Sequence, residues 1–181
     1  VIFGIDLHTG FLKLINRNNF PPMHVICADM SALPFSRSLF DLIWAEGSIY
    51  NIGFQRGLSY WYDYIKPGGY IGVSELTRLR DNPPKDCCDF WETEYPAIGS
   101  IDSNLSIIRN CGYEIIDHFT LPDSDWFNDF YDRMPEIIAG LRLKYSGIPE
   151  AMQFFDLSLK EIEIFRSCSD FYSYVFYIMK K

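Results

Sequence analysis

Three short apolar runs, each closing on a carboxylate, set the frame of the chain. They are Val1-Ile-Phe-Gly-Ile5 before Asp6, Val25-Ile-Cys-Ala28 before Asp29-Met30, and Phe40-Asp-Leu-Ile-Trp-Ala45 before Glu46-Gly47-Ser48. Such runs predict buried parallel strands, which deliver their closing residues to the carboxyl edge of a sheet. Between them the period becomes helical. Thr9 caps a helix with Phe11, Leu12 and Ile15 on one face, closed by Asn18 and Asn19. Phe54, Leu58, Trp61, Tyr62 and Ile65 mark a second amphipathic helix. Pro34-Phe35 ends any short helix after Met30, because proline disfavours helical geometry in the residue before it. Pro67-Gly68-Gly69 predicts a turn, and Tyr70 to Ser74 a fourth strand that hands Glu75 to the same edge.

Asn82-Pro83-Pro84 opens an insertion in which Cys87, Trp91 and Tyr95 align at successive helical turns. Leu105, Ile108 and Cys111 face the next helix, closed by Gly112 where glycine is favoured, and Tyr113 to Leu121 follows as a strand. Asp123-Ser124-Asp125-Trp126 offers helix caps ahead of the stripe Phe127, Phe130, Tyr131 and Met134. Pro135 breaks or restarts that helix before Ile138, Leu141 and Tyr145. Pro149 suits a helix start, and Ala151, Phe155, Leu159, Ile162 and Phe165 carry its apolar face. Helical insertions over about 82–100 and 123–168 therefore predict a cap above the sheet edge. Phe171 to Met179 alternates and reads as a last strand.

The residues at the strand ends carry the candidate chemistry. Asp6 suits the two hydroxyls of a ribose, since one carboxylate accepts both hydrogen bonds; the plainer account is that it starts a loop. Glu46 could orient an amine or hydroxyl, or act as a general base if its surroundings raise its pKa, and equally could be a solvated loop carboxylate. Tyr50 offers an aromatic wall to a cation, worth ~0.5 to 2 kcal/mol, or packs on the next helix. Trp91 is the best aromatic contact in the first insertion, with a core role as its rival.

The ordered set of Asp6, Ala28-Asp29-Met30-Ser-Ala-Leu-Pro34-Phe35, Phe40-Asp41-Leu-Ile and Lys66-Pro67-Gly68-Gly69 resembles the class I S-adenosylmethionine-dependent methyltransferases of the small-molecule type, the methyltransferase-11-like group. The likeness is close over the first two fifths of the chain and loose beyond. It implies one α/β domain over residues 1–181: a Rossmann-like doubly wound sheet, mostly parallel, with helical cap insertions. Its antiparallel C-terminal edge strand would be Phe171 to Met179, partnering Tyr113 to Leu121. It implies S-adenosylmethionine as cofactor, held by Asp6, Leu7, Asp29, Met30, Glu46 and Gly47. Asp29 would accept from the adenine amino group, with an exposed capping role ahead of Ser31 as the rival, and Met30 would face the ring. Glu46 and Tyr50 would be the catalytic pair, and Tyr50, Trp91, Trp126 and Tyr131 the contacts to a small-molecule acceptor methylated by in-line displacement. Rivals from other classes are a Rossmann-like dehydrogenase or nucleotide-binding module, and a non-catalytic scaffold acting through dimerisation.

Charge and cysteine usage narrow the partners. A net charge of −8 and the lack of any Lys/Arg stripe argue against nucleic acid. Aromatic residues make up 17% of the chain, which fits a lined pocket and an aromatic core equally. The five cysteines show no CxxC or Cys/His ligand spacing, so neither a disulfide framework nor a metal site is expected, and the cytoplasm is the expected compartment. No apolar run is long enough to span a membrane.

By the resemblance, Val1 to Ile5 is the second strand of the sheet, and a first strand with a glycine-rich loop would precede it. The chain is therefore expected to be an N-terminally truncated part of a longer polypeptide. The absent strand's place lies between Val1–Ile5 and Asp41–Ala45, whose edges would be filled by that segment, close on each other, or close on a neighbouring chain in a homodimer.

Overall fold

The computed structural model describes residues 1–17 and 23–181; Asn18 and Asn19, expected to close the first helix, lie outside them. The apolar runs form strands β1 (Ile2–Asp6), β2 (Met23–Cys27) and β3 (Phe40–Ala45), followed by β4 (Ile65–Arg78), a short β5 (Gly99–Ser100), β6 (Glu114–Thr120) and β7 (Tyr172–Lys180). The helices are α1 (Thr9–Arg17), α2 (Phe54–Tyr62), α3 (Lys85–Glu94), α4 (Ile101–Asn110), α5 (Asp123–Trp126), α6 (Met134–Lys144) and α7 (Pro149–Cys168). A π-helical turn, Phe127–Tyr131, continues α5.

The architecture is the expected mostly parallel Rossmann-like α/β arrangement, with the strands in two sheets, a two-stranded one of β1 and β2 and a five-stranded one of β3 to β7. β1 pairs parallel with β2, and β3 and β5 pair parallel with β4. Strand β7 is antiparallel to both β4 and β6, in the order β3-β4-β7-β6. The expected partnership of the last two strands is present, and β7 lies one place in from the edge, which β6 occupies.

Two local expectations are corrected. Pro67-Gly68-Gly69 lies within β4 as a bulge, not before it as a turn: the register runs from Phe40 opposite Ile65 to Leu42 opposite Tyr70, absorbing the extra residues on one side. Gly68 takes a φ of +79°, and a side chain on Gly69 would stand 3.0 Å from the Asp41 carbonyl. Glu75, expected to leave the strand, stays inside it. β7 pairs with β4 as far as Arg78, which places Glu75 opposite Val175.

Each face of this sheet has its own apolar layer. Ile71, Val73, Val175, Tyr177 and Met179 pack with Leu58 and Trp61 of α2 and Ile108 of α4. On the other face Leu76 and Tyr172 pack with Phe90 and Trp91 of α3, Trp126, Tyr131, and Ile162 and Phe165 of α7. A fully buried side chain such as Leu58 contributes about 1.5–3 kcal/mol. Within the second layer Cys87 is bonded to Cys168, Cα atoms 6.4 Å apart, tying α3 to the end of α7. This corrects the expectation of unpaired cysteines. The partners are 81 residues apart, and the helices alone bring them together.

Among the described residues β1 and β3 do not pair with each other, so the expected mutual closure of these edges is not the arrangement seen. The Phe3 ring of β1 lies 5.2 Å from Phe35 and 6.2 Å from Phe40, the first residue of β3. On the free edge of β3, Leu42 is 52% exposed and Trp44 57%.

Candidate functional site

The carboxyl ends of β1 and β2 adjoin. The Ala28 amide donates to the Asp6 carbonyl at 3.1 Å, and the Cys27 thiol donates to the Leu7 carbonyl at 3.4 Å. Asp6 Oδ1 accepts from the His8 amide at 2.6 Å. Asp29 Oδ1 accepts from the Ser31 amide at 2.7 Å and the Ser31 hydroxyl at 2.8 Å, and these bonds hold its carboxyl below the usual range. Asp6 thus starts a loop, and Asp29, half-buried, closes a turn with no helix after it to cap, each through a single oxygen. Among the described residues no protein donor reaches Oδ2 of either carboxylate, leaving an acceptor free on each. Leu7 is exposed beside Asp6.

The loop after Asp29 is anchored by α2. Trp61 Nε1 donates to the Met30 carbonyl at 2.9 Å, and the Leu33 amide donates to the Tyr60 hydroxyl at 2.9 Å. Trp61→Phe removes the first bond and leaves a small cavity, so a loss of about 1–3 kcal/mol is expected. Faster amide exchange at Ser31 and Ala32 would report the loosened loop; unchanged exchange there would show that the anchor does not hold it.

At the end of β3 the chain turns through Gly47, whose φ of +50° suits glycine, and its amide donates to Ser74 Oγ of β4 at 2.8 Å. Glu46 is exposed and accepts from Trp44 Nε1 at 2.5 Å. A 3-10 turn, Ile49–Asn51, then presents Tyr50, 39% exposed, with its ring edge-on to Tyr95, just past the end of α3, at 6.1 Å.

Glu75 completes this side of the edge. It is 1% exposed, with Oε1 accepting from the Tyr95 hydroxyl, while Oε2 has no partner among the described residues. Burial pushes its carboxyl up to about 7, against the Tyr95 bond, which acts in the other direction. Tyr174 of β7 is raised above its ordinary range, by burial first and then by Tyr50, Glu75 and Glu161. A signal for Glu75 existed in the sequence, a carboxylate inside the stretch Ile71 to Leu76. Tyr95 and Tyr174 carried none as site residues.

The three remaining aromatic candidates are packed within the layer behind this group. Trp126 stacks on Tyr174 at 4.8 Å, Tyr131 is fully buried and donates to Glu161 at 2.6 Å, and Trp91 lies 6.2 Å from Tyr172. The structure therefore brings Asp6 to Asp29, and Tyr50 to Tyr95 and Glu75, with Trp91, Trp126 and Tyr131 as backing.

A cavity of about 430 Å³ opens beside Ser31, lined also by Arg37, Arg56, Ser59 and Tyr60 on the outer side of α2. Another of about 380 Å³ lies between α6 and α7, away from the sheet edge. Among the described residues no group of three or more His, Cys, Asp or Glu is placed to hold a metal, and no helix is long and apolar enough to cross a membrane.

Residues 1–73 match a family described as a methyltransferase domain. That segment contains Asp6, Asp29, Met30, Glu46, Gly47 and Tyr50; Glu75, Tyr95 and helices α3 to α7 lie beyond it. No curated protein matches the sequence. Among the solved structures that are similar over 99% of the chain are the following three. The [4+2]-cyclase SpnF has 20% identity, a TM-score of 0.67 and 65% of its own length covered. An S-adenosylmethionine-dependent methyltransferase from Thiobacillus denitrificans, in complex with S-adenosyl-L-homocysteine, has 13% identity, a TM-score of 0.76 and 75% covered. Phosphoethanolamine N-methyltransferase 2 from Haemonchus contortus, in complex with S-adenosyl-L-methionine, has 16% identity, a TM-score of 0.65 and 43% covered. At these identities the likeness is one of fold, and the chain spans less than two thirds of the first and the last of these proteins.

Proposed function

We propose that this chain, which has the fold of the class I S-adenosylmethionine-dependent methyltransferases, binds S-adenosylmethionine along the ends of β1 to β3 and transfers its methyl group to a small-molecule acceptor. The supporting observation is the pair of carboxylates at adjoining strand ends, Asp6 and Asp29, each with one oxygen spent on its own loop and the other free. These are acceptors only, and the groups they suit are donors: the ribose hydroxyls for Asp6 and the adenine amino group for Asp29. Met30 covers the ring plane with its carbonyl tied back to Trp61, and Leu7 and Gly47 line the approach.

The bound donor supplies a methyl group already activated on a sulfonium. What remains for the protein is positioning for in-line displacement, and orientation alone reaches effective molarities of about 10⁵ M and beyond. Tyr50 walls the acceptor side with its ring, Glu46 orients the acceptor, and Trp91, Trp126 and Tyr131 give that wall its rigid backing.

Incubation with methyl-tritiated S-adenosylmethionine and panels of small metabolites, peptides and RNA tests this reading. Label is expected in a small molecule. Label found only in peptide or RNA would overturn the acceptor class.

A further inference from the structure

A carboxylate fully buried in a protein needs a partner for each oxygen, and one left bare is costly enough that such groups are paired, neutral or in use. Glu75 has Tyr95 on Oε1 and nothing on Oε2. Among the described residues no Lys or Arg is ion-paired or hydrogen-bonded to it. The titratable groups around it are tyrosines: Tyr95, just past the end of α3 and hydrogen-bonded to it, Tyr177 on its own face of β7, Tyr174 on the other face of β7, and Tyr50 in ring contact with Tyr95, with Glu161 of α7 acting on Tyr174. A carboxylate oxygen without a cation, on a side chain held by Tyr95 and one residue from the Ser74 that holds the Gly47 amide, is half of a cation site. Rings of this kind attract an ammonium by about 0.5–2 kcal/mol, and the carboxylate supplies the counter-charge.

We propose that Glu75 is the seat for the amine of the methyl acceptor, so that the substrate class is a small primary or secondary amine entering past the exposed Tyr50. The word acceptor here rests on the methyl-transfer reading; the cation site stands on the geometry alone. The incoming ammonium gives one proton to Glu75 Oε2, which frees the nitrogen lone pair. That pair forms the nitrogen–carbon bond to the methyl group while the carbon–sulfur bond breaks and its electrons stay on sulfur. The sulfonium's positive charge ends on the methylated nitrogen. A carboxyl titrating near neutrality can receive a proton and release it again over the same pH range.

The test uses two probes of one shape, benzylamine and benzyl alcohol, titrated by NMR and calorimetry into the full chain, with S-adenosylhomocysteine titrated in parallel. Benzylamine is expected to bind at least tenfold tighter than benzyl alcohol at pH 8. That preference should vanish in Glu75→Gln and fade below about pH 6 as the carboxyl protonates. Tyr50→Leu, at a position 39% exposed, should weaken benzylamine several-fold. Equal binding of the two probes, or a preference that survives Glu75→Gln, would overturn the proposal. Failure of S-adenosylhomocysteine to bind would instead remove the methyl-transfer reading, with the amine preference still deciding the cation site.

Discussion

Glu75→Gln is expected to stabilise the protein by about 3 kcal/mol at pH 8 and by far less near pH 4–5. The carboxyl titrates at about 7 in the fold against 4.5 in the unfolded chain, because burial in the β4–β7 layer disfavours its charge. Between those values the folded state holds a proton that the unfolded state has lost. Stability therefore falls as pH rises through the window from about 4.5 to 7, and is flat above it. A gap of about 2.5 units at 1.36 kcal/mol each gives the figure. Glu161, also raised by burial, slopes the same way in both proteins and cancels in the difference. Urea unfolding of the two proteins at pH 4.5 and pH 8 reads the effect. A pH-independent difference would mean that Glu75 is solvated. The cost at high pH has a functional counterpart, since a bound ammonium supplies the partner that Oε2 lacks.

Reduction of the Cys87–Cys168 bond is expected to lower stability by about 4 kcal/mol, because it releases a constraint on a long loop of the unfolded chain. The loop spans 81 residues and contains β5, α4, β6 and the helices α5 and α6, so a large part of the chain regains freedom when it opens. For a chain of this size the melting temperature should drop by about 8–16 °C. Melting curves with and without a phosphine reductant measure the drop, and Cys87→Ser should melt low in both. A melting temperature indifferent to reductant would show that the bond does not constrain the chain.

What the sequence made legible was local. Asp6, Asp29 and Glu46 were found at strand ends because an apolar run and the polar residue that closes it are neighbours in the chain. The local pattern puts Glu75 at the end of its strand, because nothing in it encodes the pairing of β7 with β4 as far as Arg78. Pro67-Gly68-Gly69 has the composition of a turn, and only the pairing with β3 decides that it becomes a bulge. Trp91, Trp126 and Tyr131 sit at helical spacings that suit a pocket wall and a core equally. Packing against α7 and β7 places them in the core layer, with Tyr174 stacked on Trp126 and Tyr95 reaching Glu75. The partnership of Cys87 with Cys168 depends on the meeting of two helices that no local pattern encodes.

The most direct measurement is calorimetric titration of S-adenosylhomocysteine into the chain and into Asp6→Ala and Asp29→Ala. Saturable binding is predicted, weakened by each substitution about tenfold or more, since a hydrogen bond to a charged group contributes about 1.5–3 kcal/mol. Binding that ignores both substitutions, or no binding by the unmodified chain, would contradict a donor site at the ends of β1 and β2.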